Sequence, residues 1–139
     1  MLASRLGSFE GLEVADIFAG SGALGLEALS RGAARCTFVD NDRAAVDAIR
    51  VNLAKLGGEG EISPGSAERA RFARPLDIVF LDPPYGSGLA AKVLTNLPLA
   101  TGAFVSVETA HNETVSAPDL EVEAERKHGK AKITLLRRP

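Results

Sequence analysis

The sequence is poor in cysteine and in large aromatic residues. Its 139 residues include one cysteine, Cys36, one tyrosine, six phenylalanines and no tryptophan. A lone cysteine excludes an internal disulfide, and its apolar neighbours Phe38 and Val39 indicate a small buried side chain rather than a reactive thiol. The two histidines, His111 and His128, have no cysteine or histidine partner at ligand spacing, so no metal site is predicted.

Long apolar runs and a strong excess of either charge are also lacking. No stretch approaches the roughly 20 apolar residues that span a bilayer, and no secretory leader is recognisable, so we expect a cytoplasmic protein. With 16 Lys and Arg against 18 Asp and Glu, the net charge of −2 disfavours a large RNA-binding surface but permits a local basic patch. Candidates for such a patch are Arg5, Arg31, Arg35, Arg126, Lys127, Lys130 and Lys132.

Short apolar runs alternate with segments of helical periodicity along the whole chain. No repeat or linker interrupts them, so residues 1–139 are predicted to form one domain with a Rossmann-like α/β fold, its sheet mainly parallel and its helices on both faces. Strands are expected at 14–18, 36–40, 61–63, 76–81 and 103–107, followed by a C-terminal antiparallel hairpin of 120–126 and 133–136. Helices are expected up to about residue 31, at 42–56 and at 90–97. Residues 1–9 have the spacing of the last turns of a helix, which suggests a truncated front end.

A glycine-rich turn follows the first predicted strand. Gly20, Gly22 and Gly25 have the G-x-G-x-x-G spacing, which allows a sharp turn, close backbone approach to a ligand and free N–H groups at a helix start. Asp40 ends the second predicted strand, where a carboxylate can accept hydrogen bonds from ribose hydroxyls, whereas Asp42 is better placed to cap the next helix. The pattern predicts an adenosine-containing cofactor and leaves NAD and S-adenosylmethionine both open.

The turn Asp82-Pro83-Pro84-Tyr85 separates these two cofactors. Its prolines fix φ and remove two N–H donors, so a stiff turn presents carbonyl and carboxylate acceptors, which suit an amino group. Asp82 would accept one N–H of an exocyclic base amine and the carbonyl of Pro83 the other, which makes the nitrogen lone pair available. Tyr85 would stack on a base that has left its helix or loop. The purely structural alternative is a rigid turn in which Asp82 caps a local N–H.

Segments 16–34, 38–41 and 77–86, which hold these motifs, resemble the bacterial 16S ribosomal RNA guanine-N2 methyltransferase (RsmD-like) family. The resemblance covers nearly the whole chain. It implies a class I methyltransferase fold with a seven-stranded or slightly smaller sheet, S-adenosylmethionine as the cofactor, and ribosomal RNA or the assembling small subunit as the partner. We expect a monomer that does not bind membranes.

The same resemblance assigns roles to individual residues. Asp82, Pro83, Pro84 and Tyr85 would form the catalytic turn. The residues that would contact the methionine half, the ribose and the adenine of the cofactor are Asp16, Phe18, Gly20, Gly22, Asp40, Asn41, Ser66 and Ala67. The chain departs from the family at Ser66, where an acidic residue is usual, and in lacking the family's basic N-terminal segment and extra hairpin.

Three other functions are consistent with parts of the sequence. The Asp-Pro-Pro-Tyr turn also serves methylation of adenine N6 or cytosine N4 in DNA or RNA, and only the flanking similarity favours guanine. The glycine spacing permits a nicotinamide-dependent oxidoreductase, although that class gives no reason for the proline turn. The negative net charge is also consistent with a non-catalytic remnant, which would bind S-adenosylmethionine without transferring its methyl group.

Overall fold

Seven strands form one sheet in the computed structural model, which describes Leu2 and residues 6–139. The strands are β1 (Glu13–Ile17), β2 (Arg35–Asp40), β3 (Gly60–Pro64), β4 (Leu76–Leu81), β5 (Leu99–Ala110), β6 (Glu121–His128) and β7 (Ala131–Arg137). Their order is β3-β2-β1-β4-β5-β7-β6; the first five are parallel, and β7 and β6 add an antiparallel hairpin. The predicted mainly parallel seven-stranded sheet with a terminal hairpin is thus confirmed.

Helices pack on both faces of this sheet, as predicted. They are α1 (Ala23–Ser30), α2 (Arg43–Leu56) and α3 (Leu89–Thr95), with a 3-10 turn at Ala67–Arg69. One apolar cluster joins α1 and α2 to one face through Ala28 and Ile49, and a second joins α3 to the other face through Val93. None of these helices is long and apolar enough to cross a bilayer.

The centre of the sheet is buried on both faces. Val14, Ala15 and Ile17 of β1 are fully buried, as are Ile78 and Val79 of β4, which agrees with the mainly apolar composition of central parallel strands. Cys36 of β2 is buried and unpaired by any disulfide, and burial raises the pKa of its thiol, in agreement with a structural role.

Several boundaries differ from the prediction. The first strand ends at Ile17 because Phe18 adopts a positive φ of 60° and turns the chain, and α3 ends at Thr95, two residues before Leu97. The fifth strand is 12 residues long and starts at Leu99, since it continues through Gly102 at a φ of 84°. The helical end predicted for residues 1–9 lies partly outside the described residues.

The strand order brings the two sequence motifs together. From β1 the chain adds β2 and β3 on one side and then β4 and β5 on the other, so the strand order has a switch point between β1 and β4. Ligands of open α/β sheets bind at the carboxyl ends of the strands at such a point. Ile17 pairs with Leu81, and its carbonyl accepts a hydrogen bond from the Asp82 N–H at 3.2 Å. The glycine loop after β1 and the proline turn after β4 therefore start side by side.

Candidate functional site

A crevice of two adjoining cavities opens at the carboxyl edge of the sheet. Phe18, Asp40 and Asn41 line both cavities. The smaller, of about 110 Å³, is completed by the segment around Ser66, and the larger, of about 480 Å³, by the proline turn. Nine of the twelve predicted site residues therefore lie along this crevice: Phe18, Asp40, Asn41, Ser66, Ala67, Asp82, Pro83, Pro84 and Tyr85.

The other three predicted residues, Asp16, Gly20 and Gly22, do not line either cavity. Asp16 is 4% exposed, and its Oδ2 accepts a hydrogen bond from the N–H of Gly25 at 3.0 Å. Its side chain therefore fixes the start of α1 from behind the loop.

The glycine loop has the geometry that its spacing predicts. Gly20 and Gly22 adopt positive φ angles of 59° and 79°, a region that other residues occupy only at a cost. Gly25 is needed for a different reason, because a β-carbon there would lie 2.5 Å from the ring of Phe38. Its absence lets α1 pack closely on β2, as in dinucleotide-binding loops.

Asp40 joins the glycine loop to the end of β2. Its Oδ2 accepts a hydrogen bond from the N–H of Gly20 and its Oδ1 one from the N–H of Asp42, both at 2.9 Å. A carboxylate has about four acceptor positions, so two remain for a ligand in the crevice. Asp42 caps α2 by accepting from the N–H of Ala45 at 3.0 Å, which is the role that the sequence indicated.

Phe18 combines a strained backbone with a position in both cavities. A phenylalanine with a φ of 60° is uncommon, and such strain is retained mainly where the surrounding structure holds it for a function. The half-buried residue lines both the cavity at Ser66 and the cavity at the proline turn.

An acidic residue, Glu68, lies at the end of the crevice that Ser66 lines, although position 66 itself is not acidic. The Ser66 hydroxyl accepts a hydrogen bond from the N–H of Glu68 at 3.2 Å and caps the 3-10 turn. Glu68 is exposed and lines the smaller cavity. Sequence reasoning missed Glu68, because no spacing rule predicted that a short 3-10 turn would bring it to the crevice.

The proline turn offers two acceptors with no partner among the described residues. Among the described residues, no group donates a hydrogen bond to either carboxylate oxygen of Asp82 or to the carbonyl oxygen of Pro83. The Pro84 carbonyl, in contrast, accepts from the Ser87 hydroxyl at 2.7 Å. The pair of acceptors predicted to bind an amine, Asp82 and the Pro83 carbonyl, is therefore free to do so.

Two glutamates from β5 and the loop after it support this turn, and sequence reasoning missed both. The Tyr85 hydroxyl donates to Oε2 of Glu108 over a long 3.4 Å, and Glu108 lines the larger cavity. Glu113 Oε1 accepts from the N–H of Gly86 at 2.7 Å and from that of Ala110 at 3.3 Å. Glu113 thereby ties the residue after Tyr85 to the end of β5.

Carboxylates dominate the electrostatics of the crevice. The pKa of Asp16 is raised from 3.8 to about 7, chiefly by burial; the Gly25 hydrogen bond lowers it, and the nearby charges of Asp82 and Asp40 add to the rise. Partial burial, followed by the charge of Glu108, also raises the pKa of Asp82. Such a site favours a cationic ligand or a donor of N–H groups. Within Leu2 and residues 6–139, no three His, Cys, Asp or Glu side chains cluster as metal ligands would.

A sheet of this order, with a glycine loop and an Asp-Pro-Pro-Tyr turn at neighbouring carboxyl ends, defines a class I methyltransferase fold. A structure from Escherichia coli described as a candidate methyltransferase superposes with a TM-score of 0.87 at 35% identity, over 99% of this chain and 81% of that one. A more distant tRNA (uracil-54, C5)-methyltransferase of Pyrococcus abyssi, solved with S-adenosyl-L-homocysteine, shares the fold at a TM-score of 0.74 and 18% identity, over 98% and 37% of the two chains.

The chain belongs to the family described as conserved hypothetical protein 95, whose model matches residues 1–137. The ribosomal RNA small subunit methyltransferase D of Escherichia coli K12 is 43% identical over 101 residues, which are 68% of this chain and 51% of that protein. The chain spans between about half and two thirds of the length of three curated relatives that it matches. The resemblance seen in the sequence motifs is therefore confirmed at the level of the family.

Proposed function

We propose that the chain is the catalytic domain of an enzyme that transfers a methyl group from S-adenosylmethionine to the exocyclic N2 amine of a guanine in small-subunit (16S) ribosomal RNA. The observation that carries the proposal is the single crevice in which Asp40 and Phe18 adjoin the two free acceptors of the proline turn. A cofactor held on one side would face an amine held on the other. The choice of small-subunit ribosomal RNA as the substrate rests on the name of the Escherichia coli relative, ribosomal RNA small subunit methyltransferase D.

The crevice residues fit S-adenosylmethionine. The two open acceptor positions of Asp40 suit the ribose hydroxyls, and the 3-10 turn at Ser66 and Ala67 would hold the adenine, with Asn41 beside it. Asp16, which is close enough to Asp82 and Asp40 to interact with their charges, would supply negative charge towards the methionine half of the cofactor. When bound, the cofactor supplies an electrophilic methyl group on a positively charged sulfur.

The proline turn then positions the amine. Asp82 and the Pro83 carbonyl each accept one N–H, so the nitrogen lone pair is held towards the methyl group. Transfer would form the bond from nitrogen to the methyl carbon while the methyl–sulfur bond breaks and leaves its electron pair on a neutral thioether; the nitrogen would become cationic, and Asp82 would accept the proton that it releases. A raised pKa makes Asp82 a better proton acceptor than an ordinary aspartate.

Glu108 favours guanine over the other amino bases. Next to its N2 amine, the Watson–Crick edge of guanine presents N1–H, a further donor, and the larger cavity offers the Glu108 carboxylate to accept it while Asp82 and the Pro83 carbonyl accept the N2 hydrogens. Adenine and cytosine present an acceptor nitrogen next to their amine, which would face a carboxylate without a proton between them. Mismatches of this kind leave buried polar groups unpaired and are strongly rejected.

We expect Asp40→Ala to weaken S-adenosylmethionine binding by about 1–3 kcal/mol, because it removes both ribose acceptors and the Gly20 anchor. Calorimetric titration measures this loss. Asp42→Ala is the matched control, since it removes a carboxylate two residues away that only caps α2. It should lower the free energy of unfolding by about 1 kcal/mol and leave cofactor affinity unchanged. Equal affinities of the wild type and Asp40→Ala for S-adenosylmethionine would show that Asp40 does not bind the ribose.

We expect Tyr85→Ala to reduce methyl transfer far more than Tyr85→Phe. Tyr85 is 51% exposed and lines the crevice, where stacking on a base would contribute about 1–3 kcal/mol, whereas among the described residues its hydroxyl makes one long contact, with Glu108. Single-turnover rates on RNA should therefore fall roughly tenfold or more for the alanine variant and a few-fold at most for the phenylalanine variant. The opposite order would assign a function to the hydroxyl.

The proposed function is tested in two stages with the full chain. Calorimetry with S-adenosylmethionine and, separately, NAD should show binding of the former alone; binding of NAD alone would instead support an oxidoreductase. Transfer of a labelled methyl group is then measured on 16S ribosomal RNA and on small subunits, with the product identified after nuclease digestion. N2-methylguanosine supports the proposal, N6-methyladenosine or N4-methylcytidine overturns the choice of base, and cofactor binding without any transfer indicates a non-catalytic remnant.

A further inference from the structure

The tip of the β6–β7 hairpin carries a concentrated positive charge. Residues 126–132 contain four of the 16 Lys and Arg of the chain and no Asp or Glu. Arg126, Lys127 and Lys130 are exposed and form no ion pair within the described residues, whereas Lys132 is 5% exposed. We call Arg126, Lys127 and Lys130 the basic tip.

Other cations considered for a basic patch are occupied or not described. Arg31 forms an ion pair with Glu27 at 3.1 Å, and Arg35 one with Glu13 at 3.4 Å. Arg5 lies outside the described residues. The basic tip therefore holds the free positive charge among these candidates.

The sheet register places this tip beside the crevice. Glu108 of β5 pairs with Ile133 of β7, which pairs in turn with Arg126 of β6. Directly paired residues point to the same face, and neighbouring strands lie about 4.8 Å apart, so Arg126 lies roughly 10 Å from Glu108 on the same face. The N–H of His111, just after β5, also donates to the Lys130 carbonyl at 2.8 Å.

The charge along β6 is ordered by sign. Glu121, Glu123 and Glu125 occupy the part far from the crevice, and Arg126 and Lys127 the part near it. Charged side chains on an edge strand prevent pairing with other chains, but either sign achieves this. Because the positive side chains of β6 are grouped at the end that adjoins the crevice, that end also presents a surface that attracts a polyanion.

From this arrangement we infer that the basic tip binds the phosphate backbone of the RNA that carries the target base. The inference rests on the proposed function. The crevice itself repels phosphates because Asp40, Asp82 and Glu108 line it. Anchoring the backbone next to an acidic crevice lets the neutral base enter while its phosphates stay outside.

The test compares two variants with the same change of charge, each carrying three Gln substitutions. One neutralises the basic tip (Arg126→Gln, Lys127→Gln, Lys130→Gln). The control neutralises three exposed helical cations (Arg50→Gln, Lys55→Gln, Lys92→Gln). Binding of a fluorescein-labelled stem–loop RNA with guanines in its single-stranded loop is measured by anisotropy at several salt concentrations.

The tip variant should bind the RNA at least tenfold more weakly at low salt than the control. The plot of log K for RNA association against log salt concentration should become less steep by about 2, because each of the three lost phosphate contacts on a single strand contributes about 0.7 to the slope. Calorimetry should give both variants the wild-type affinity for S-adenosylmethionine.

Equal losses in the two variants would overturn the inference in favour of overall charge. Wild-type RNA binding by the tip variant, accompanied by aggregation, would overturn it in favour of edge protection. Methyl transfer by the wild type decides the proposed function separately: if it methylates RNA and the tip variant binds normally, only the role of the basic tip fails.

Discussion

Asp82→Asn should lower the rate of methyl transfer by about 10²–10⁴-fold, the range that a positioned proton acceptor contributes. Asparagine keeps the size of the side chain but replaces a carboxylate oxygen with an N–H₂ donor, which would oppose the incoming amine. The Asp82 carboxylate accepts no hydrogen bond from the described residues, so we expect its loss to leave the fold intact. Single-turnover kinetics with labelled S-adenosylmethionine measures the effect.

Cofactor binding separates a catalytic role of Asp82 from a structural one. Calorimetry should give Asp82→Asn an affinity for S-adenosylmethionine within a few-fold of the wild type, because the carboxylate is proposed to contact the amine. Asp47→Asn, which removes an exposed carboxylate on α2, serves as the control and should keep full activity. A parallel loss of binding and transfer in Asp82→Asn would contradict the assignment.

The fold could be predicted because its periodicities are strong and local. Most buried positions of β1, β2 and β4 are apolar, and α2 is preceded by a capping aspartate and followed by Gly57 in the left-handed conformation. Errors occurred where tertiary contacts override local preference. Phe18 was placed in a strand because it is apolar and β-favouring, whereas the crevice requires it to turn the chain.

The candidate site was predicted where its residues follow strands directly. Motifs after β1, β2 and β4 meet because parallel strands end at one edge, so Phe18, Asp40 and the proline turn were found together. Glu108 and Glu113 were missed because they follow the proline turn by more than 20 residues and have no spacing that marks them. Only the pairing of β4 with β5 brings them to Tyr85 and Gly86.

Asp16 should make the fold less stable as the pH rises. Its pKa is about 7 in the folded protein and 3.8 in the unfolded chain, so between these values the folded state keeps a proton that the unfolded state releases. The free energy of unfolding should therefore fall from about pH 4 to pH 7, by at most about 4 kcal/mol at 1.36 kcal/mol per pKa unit. Asn at this position retains an acceptor for the Gly25 N–H and carries no charge.

We accordingly expect Asp16→Asn to be about 2–4 kcal/mol more stable than the wild type at pH 8 and nearly equal to it at pH 4. Urea denaturation across this range measures the difference, with Asp47→Asn as the control that should retain the wild-type pH profile. Equal stabilities of Asp16→Asn and the wild type at pH 8 would show that Asp16 ionises in the folded state as it does in the unfolded chain.

We expect the same carboxylate to link cofactor binding to pH. A bound sulfonium would favour the ionised form of Asp16, so S-adenosylmethionine should bind the wild type more tightly at pH 8 than at pH 6 and release a proton near pH 7. S-adenosylhomocysteine, which has no positive charge on sulfur, should show a smaller dependence. Asp16→Asn should remove the difference between the two ligands' pH profiles. Calorimetry in buffers of different ionisation enthalpy counts the proton directly, and a wild-type affinity independent of pH would separate Asp16 from the cofactor. The destabilising charge behind the glycine loop would then have no function in binding, whereas the expected linkage gives a reason for keeping it.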